Sequence, residues 1–173
     1  MLTAERANGS GPHRPGLAYA FWNAVLLAVL VLVGTLVSTL WTASMSPADP
    51  GNTRQVALGL AVYAKHCAAC HGAKLEGQPN WRDRLSNGRM PAPPHDETGH
   101  TWHHPDGVLF GITKDGLVPG KYAPKGYQSD MPAFGGVLTD EEIWAVLAYI
   151  KSTWPPRELA HQREVDRESR VRR

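Results

Sequence analysis

The sequence predicts an all-α fold of short helices and long loops, preceded by a single apolar helix near the N-terminus. An uncharged and mostly apolar run at residues 17–41 predicts the N-terminal helix. Residues 139–154 place apolar side chains at helical spacing behind a capping sequence, which predicts the last helix of a folded domain. Most of the 17 glycines and 14 prolines lie between residues 47 and 136, so this middle section is predicted to be rich in loops.

The two cysteines of the chain lie in the segment Cys67-Ala68-Ala69-Cys70-His71. Two cysteines three positions apart, with a histidine directly after the second, form the attachment sequence of c-type haem. The chemistry explains the spacing, because both thiols must add to the two vinyl groups at one edge of the macrocycle. The turn that joins them then carries the imidazole of His71 under the iron as one axial ligand, and a second ligand must come from elsewhere. A large flat cofactor would also supply core that a loop-rich domain lacks.

Other interpretations of the cysteine pair stay open at this point. The pair is also compatible with a thioredoxin-like redox centre, half of a zinc site or an incidental disulfide. A thioredoxin-like centre should follow a strand in a βαβ unit, and the sequence contains no such pattern. Zinc needs two further ligands, and copper also binds imidazole well. Four clustered histidines could supply such ligands: His95, His100, His103 and His104.

The segments around the motif resemble the class I (monohaem) c-type cytochromes, in their membrane-anchored bacterial form. The resemblance covers about residues 53–154 and implies a cytochrome c-like fold around one covalently bound haem c. In that family the helix before the motif carries a glycine with an aromatic residue four positions on, where the last helix crosses closely. Gly59 and Tyr63 match this pattern, and Tyr149 matches the aromatic residue of the last helix.

The resemblance implies that Met131 is the second axial ligand of the iron. Met131 lies in the sequence SDMPAFGG before the last helix, where the family places its axial methionine. Met90 and a histidine of the cluster are the alternatives. The resemblance also implies that the carbonyl accepting the ring N–H of His71 lies near Pro79. It makes four side chains candidates to bond the haem propionates: Trp81, Arg82, Arg89 and Trp102.

The N-terminal region is predicted to anchor the protein in a membrane. Residues 1–16 are predicted to be a disordered cytoplasmic tail, residues 17–41 a transmembrane helix and residues 42–52 a linker. The helix would reach roughly 37 Å at about 1.5 Å per residue, enough to cross a bilayer. Arg6 and Arg14 favour a cytoplasmic N-terminus, with the haem domain in the periplasm on the outer face of the inner membrane. A signal sequence, cleaved or uncleaved, is the alternative.

The haem domain, cytochrome c-like in this interpretation, is predicted to span residues 53–156. It contains three predicted helices, at residues 53–65, 105–115 and 139–154. Val56, Leu60 and Tyr63 recur at helical spacing and are expected to lie on the core-facing side of the first helix. The Pro155-Pro156 pair is expected to end the last helix. Residues 157–173 are predicted to be a charged, solvated tail.

The predicted function is electron transfer by a His/Met-ligated haem, without enzymatic activity. Two axial ligands from the protein would leave no coordination position for a substrate. The resemblance implies redox partners at the membrane: a quinol-oxidising complex upstream, and a terminal oxidase or other membrane complex downstream. A formal net charge of +2 does not argue for nucleic-acid binding. The alternatives are the haem-bearing subunit of a membrane oxidase or dehydrogenase complex, and a haem protein that senses a ligand.

Overall fold

The structure is a computed structural model that describes residues 16–44 and 47–172. The chain divides into two compact units, Met1–Met45 and Ser46–Arg173. Residues 1–15 of the predicted tail lie outside the described part of the chain, as do residues 45 and 46 of the predicted linker.

The described part of the first unit is one long helix, α1, over Gly16–Ser44. Its segment Tyr19–Val37 is long and apolar enough to cross a membrane, and a signal sequence near the N-terminus would pass the same test. The side chains of residues 19–37 are exposed. An apolar N-terminal helix is therefore present, as the sequence predicts.

The second unit is helical throughout its described residues, without a strand; one isolated bridge pairs Pro119 with Ala123. Its helices are α2 (Thr53–His66), α3 (Ala68–His71), α4 (Asp106–Asp115), α5 (Asp140–Ser152) and α6 (Pro156–Val171), with a 3₁₀ turn at Thr101–His103. Long loops join α3 to the 3₁₀ turn and α4 to α5. The prediction of an all-α fold with long loops is confirmed.

Helices α2 and α5 cross at close range, and Gly59 makes the crossing possible. A Cβ at Gly59 would overlap the backbone carbonyl of Ala145 and would lie 2.8 Å from the Cβ of Tyr149. The rings of Tyr63 and Tyr149 meet beside the crossing, with centroids 5.4 Å apart. The buried face of α2 therefore centres on Gly59 and Tyr63. Leu60 points away from it and is 50% exposed, so the expectation that Leu60 faces the core is wrong.

Helix α5 begins at a capping box, as predicted. The hydroxyl of Thr139 accepts the N–H of Glu142 at 3.2 Å, and the carboxylate of Glu142 accepts the N–H of Thr139 at 2.8 Å. The apolar face of α5 then forms the centre of the core. The largest cluster of buried core residues comprises Val62, Tyr63, Leu75, Leu138, Ile143, Val146, Ile150 and Trp154.

The C-terminal segment is a helix over Pro156–Val171 with a partly buried face, so the expectation of a solvated tail is not met in the described part of residues 157–173. Pro156 occupies the first turn of α6, where its missing N–H and fixed φ are tolerated. Gln162 is completely buried and Asp166 is 7% exposed. The buried face of α6 thus includes polar side chains, which is why the apolar pattern of the sequence did not reveal it.

A buried ion pair joins α4 to α5, and hydrogen bonds attach α6 to the same site. Lys151 of α5 donates to both carboxylate oxygens of Asp106 in α4, at 2.9 and 2.8 Å, and Gln162 of α6 donates to one of them at 2.7 Å. Pro105, the N-cap of α4, makes no side-chain capping bond. Asp166 of α6 caps the helix in its place, because its carboxylate accepts the N–H of Asp106 at 3.1 Å. Polar contacts therefore join the three helices.

Candidate functional site

One helical turn carries both thiols and the imidazole of the motif. Cys67 lies between α2 and α3, and α3 contains Cys70 and His71. The N–H groups of Cys70 and His71 both donate to the carbonyl of Cys67, at 3.1 and 2.9 Å. The three side chains therefore project from a single short stretch of ordered backbone, as attachment to one macrocycle edge requires.

The peptide groups around His71 are held by two other segments. The hydroxyl of Tyr63 donates to the carbonyl of Gly72 at 2.9 Å and to that of His71 at 3.3 Å. The N–H of Gly77 donates to the carbonyl of His71 at 2.8 Å. Gly72 has a φ of 81°, in the left-handed region that favours glycine, and so reverses the chain directly after the histidine. The backbone under the imidazole is fixed by these contacts.

The imidazole of His71 is buried and its tautomer follows from one contact. Its Nδ1 lies 2.8 Å from the carbonyl oxygen of Pro93. A carbonyl can only accept, so Nδ1 carries the proton and Nε2 keeps its lone pair. Burial lowers the pKa of His71, while the hydrogen bond to Pro93 opposes that shift. The result is a neutral imidazole with a free nitrogen, which is the form that binds iron.

The acceptor of the His71 ring N–H is the carbonyl of Pro93, in a segment that runs beside the residues around Pro79. The two segments lie side by side, because the N–H of Gln78 donates to the carbonyl of Ala92 at 2.9 Å. The side chain of Gln78 accepts the N–H of Ala92 in return, at 3.0 Å. The resemblance thus led to this region of the fold, and the structure identifies the carbonyl within it as that of Pro93.

Both cysteines are free thiols, with Cys70 exposed. Burial raises the pKa of Cys67 to about 11, and the nearby Cys70 adds to the rise. A thioredoxin-like centre needs a cysteine whose pKa is lowered, so that a reactive thiolate forms near neutral pH. The environment of Cys67 therefore disfavours that interpretation.

The clustered histidines pack against other rings. In the part of the chain that the structure describes, no three His, Cys, Asp or Glu side chains converge on a metal-binding point. His95 stacks on His71, with ring centroids 4.0 Å apart, and its Nδ1 lies 2.8 Å from the hydroxyl of Thr101. Further ring contacts include those of His100 with Trp81, His103 with Trp102, and His104 with His100. These contacts favour neither the zinc nor the copper interpretation. The contact of His95 with His71 was not anticipated from the sequence.

Met131 is half-buried in the loop between α4 and α5. Three residues further on, the N–H of Phe134 donates to the carbonyl of Thr113 in α4 at 3.0 Å. The ring of Phe134 also meets the ring of His66 edge-on, with centroids 6.2 Å apart. Since His66 directly precedes Cys67, this contact brings the loop of Met131 beside the cysteine motif.

Met90, the alternative methionine, is also half-buried and lies in a second loop. An ion pair between Arg89 and Asp130 joins this loop to the loop of Met131. Each methionine directly follows one member of the pair. Arg89, a candidate partner of a haem propionate, has its guanidinium on Asp130 in the structure.

The residues of the turn fit a covalently bound haem. They supply two free thiols and a neutral imidazole whose Nε2 makes no hydrogen bond to any residue that the structure describes. The same pair of thiols without the orientated imidazole would fit a disulfide or a redox centre equally well. The tautomer of His71 therefore makes the arrangement specific.

A protein-family model described as Cytochrome c matches residues 56–154. The match covers more than half of the 173 residues and includes the cysteine motif, both loop methionines and the crossing of α2 with α5. Helices α1 and α6 lie outside the matched range. Neither the curated proteins nor the solved structures contain a significant match to the chain.

Proposed function

The chain belongs to the cytochrome c family, and we propose that it carries electrons through one haem c whose iron is ligated by His71 and Met131. Cys67 and Cys70 would hold this haem through thioether bonds. The observation that carries the proposal is the hydrogen bond from Nδ1 of His71 to Pro93. It leaves Nε2 available for iron on the same turn as both thiols. When bound, the haem supplies a one-electron couple between ferric and ferrous iron.

The residues around His71 would keep its ring in place while the charge on the iron changes. Tyr63 and Gly77 hold the carbonyl of His71, and Pro93 holds the ring. The ring N–H bond to a carbonyl also makes the other ring nitrogen a stronger donor to a metal. A ligand fixed in this way suits electron transfer, which is fastest when little has to move.

Two observations support Met131 as the sixth ligand. Its loop is attached to α4, and Phe134 of the same loop contacts the residue before Cys67. A thioether is a soft ligand that favours ferrous iron and raises the reduction potential. With protein side chains at both axial positions, the domain would act as an electron carrier and not as an enzyme.

The apolar helix α1 would keep the carrier at the outer face of the inner membrane. Its length and composition support this role. A tether raises the effective concentration of the haem domain near membrane-bound redox complexes. The partners in this proposal are a quinol-oxidising complex and a terminal oxidase or other membrane complex.

Mass spectrometry of the haem-loaded protein, purified from membranes, tests the anchor. A retained anchor predicts the mass of the whole 18.9 kDa chain plus haem, and extraction only with detergent. A soluble product that has lost the segment up to about Ala48 would identify a cleaved signal sequence and contradict the anchor.

Absorption spectra of the full chain, expressed with haem-attachment machinery, test the ligand set. The wild type should show the weak far-red band of ferric iron bound to methionine. Met131→Ala should abolish this band, and the matched variant Met90→Ala should retain it. Loss of the band only in Met90→Ala would make Met90 the ligand. A wild type without the band would contradict His/Met ligation.

A further inference from the structure

We propose that the ion pair between Arg89 and Asp130 acts as a clamp that holds Met131 on the haem iron. The inference rests on the proposed function, because it takes Met131 as an axial ligand. Arg89 and Asp130 are positioning residues in this account: they act through the loop and not on the iron. The clamp joins two parts of the chain that are far apart in sequence.

The loop of Met131 is attached unequally at its two ends. After Met131, the N–H groups of Phe134 and Gly135 donate to carbonyls at the end of α4, at 3.0 and 2.9 Å. Before Met131, the described hydrogen bonds are local, such as that from its own N–H to the hydroxyl of Ser129 at 3.0 Å. The ion pair at Asp130 is what connects this end of the loop to a distant segment.

A cleft lies between the two loops that the clamp joins. It has a volume of about 340 Å³ and lies between the turn that includes Arg84, Asn87 and Gly88 and the segment at residues 124–128. Within the described residues, no other ion pair or hydrogen bond connects residues 84–90 with residues 124–131. The loops are thus held together at the clamp and are open beyond it.

Arg89 is presented by an ordered turn. Its carbonyl accepts the N–H of Leu85 at 2.9 Å, and its own N–H donates to the side chain of Asn87 at 3.0 Å. Arg84 donates to the carbonyl of Gly88 at 2.7 Å across the same turn. A backbone that is already ordered reduces the entropy lost when the arginine side chain pairs. The clamp therefore connects the methionine loop to the ordered turn at residues 84–89.

The exposure of the pair sets the size of its effect. The side chains of Arg89 and Asp130 are 38% and 61% exposed. Exposed ion pairs contribute little, so loss of the clamp should raise the population with Met131 off the iron about two- to five-fold. An added ligand such as imidazole binds iron only in that population, so its apparent dissociation constant should fall by the same factor.

Imidazole titrations of the ferric, full-length protein, followed by loss of the methionine band, test the clamp. At low salt, Arg89→Gln and Asp130→Asn should each lower the apparent dissociation constant about two- to five-fold. The charge-swapped double variant Arg89→Asp/Asp130→Arg should restore at least half of the difference. In about 0.5 M sodium chloride the wild type should approach the single variants, because salt screens exposed charges.

The matched control is Arg167→Gln, which breaks the exposed pair of Arg167 with Glu164 on α6. It should bind imidazole as the wild type does. The clamp is overturned if Arg89→Gln binds imidazole as the wild type does, or if Arg167→Gln changes the affinity as much as Arg89→Gln does. In either case the proposed function still stands if the wild type shows the methionine band. A wild type that lacks the band overturns both.

Discussion

Asp106→Asn should strongly destabilise the haem domain. The substitution removes the negative charge that faces the ammonium of Lys151, where both side chains are 2% exposed. The amide that replaces the carboxylate also sets an N–H donor against Lys151, because Lys151 donates to both carboxylate oxygens. Removing one partner of a buried ion pair costs about 3–5 kcal/mol, because the other charge stays buried.

The magnitude converts into a measurable melting shift. For a domain of this size, 1 kcal/mol corresponds to about 3–6 °C, so Asp106→Asn should lower the melting temperature of the haem-loaded protein by about 10–30 °C. Helical circular dichroism and haem absorbance should report the same transition. The double variant Asp106→Leu/Lys151→Met should recover part of the loss, because it removes both charges from the buried site but also removes an acceptor of Gln162.

An exposed ion pair provides the control for this prediction. Lys114→Gln breaks the pair of Lys114 with Asp140, whose side chains are 38% and 61% exposed, and should cost less than about 1 kcal/mol. Melting of Asp106→Asn within about 3 °C of the wild type would refute the argument from burial. So would a double variant that is no more stable than Asp106→Asn.

Three further outcomes follow from the structure. Gly59→Ala should destabilise the domain by more than about 2 kcal/mol in urea unfolding, because the added methyl overlaps a carbonyl of α5, whereas Gly136→Ala has open space and should stay near wild type. Before haem attachment, iodoacetamide at pH 8 should modify the exposed Cys70 faster than Cys67, whose pKa is raised to about 11 by burial; equal rates would contradict that environment. Burial lowers the pKa of His104 in the folded protein. As the pH falls, this histidine is therefore protonated in the unfolded chain before it is protonated in the folded protein. The stability that neutral His104 contributes should therefore be complete above about pH 6.5 and be lost as the pH falls from there toward the folded pKa; an unchanged pH slope of urea unfolding in His104→Asn would contradict this.

Features that depend on neighbouring residues could be predicted from the sequence. The capping box at Thr139 is confirmed because its two hydrogen bonds join residues three apart. The turn from Cys67 to His71 is equally local, and its chemistry needs a particular order of side chains. The prediction of the crossing at Gly59 came from the family resemblance, which carries long-range information that the residues themselves do not.

The C-terminal helix shows where pattern recognition failed. A buried face is usually recognised by apolar side chains, but α6 buries Gln162 and Asp166. Both side chains pair with Asp106 of α4, which lies 56 positions before Gln162 and 60 positions before Asp166 in the chain. A polar residue can be buried only if its hydrogen-bond partner is present, and only the folded chain shows whether that partner is within reach.

The candidate site likewise combines features set by neighbouring residues with contacts between residues far apart in the chain. The order of residues within one turn determined which side chains could hold a haem, because those side chains must meet one edge of a single molecule. The tertiary structure decided which carbonyl orients His71, that His95 stacks on it, and that Arg89 meets the loop of Met131. Each of these contacts joins residues more than twenty positions apart, and its formation depends on how the long loops pack. The sequence by itself therefore determined the chemistry of the haem turn, and the packing of the loops determined its surroundings.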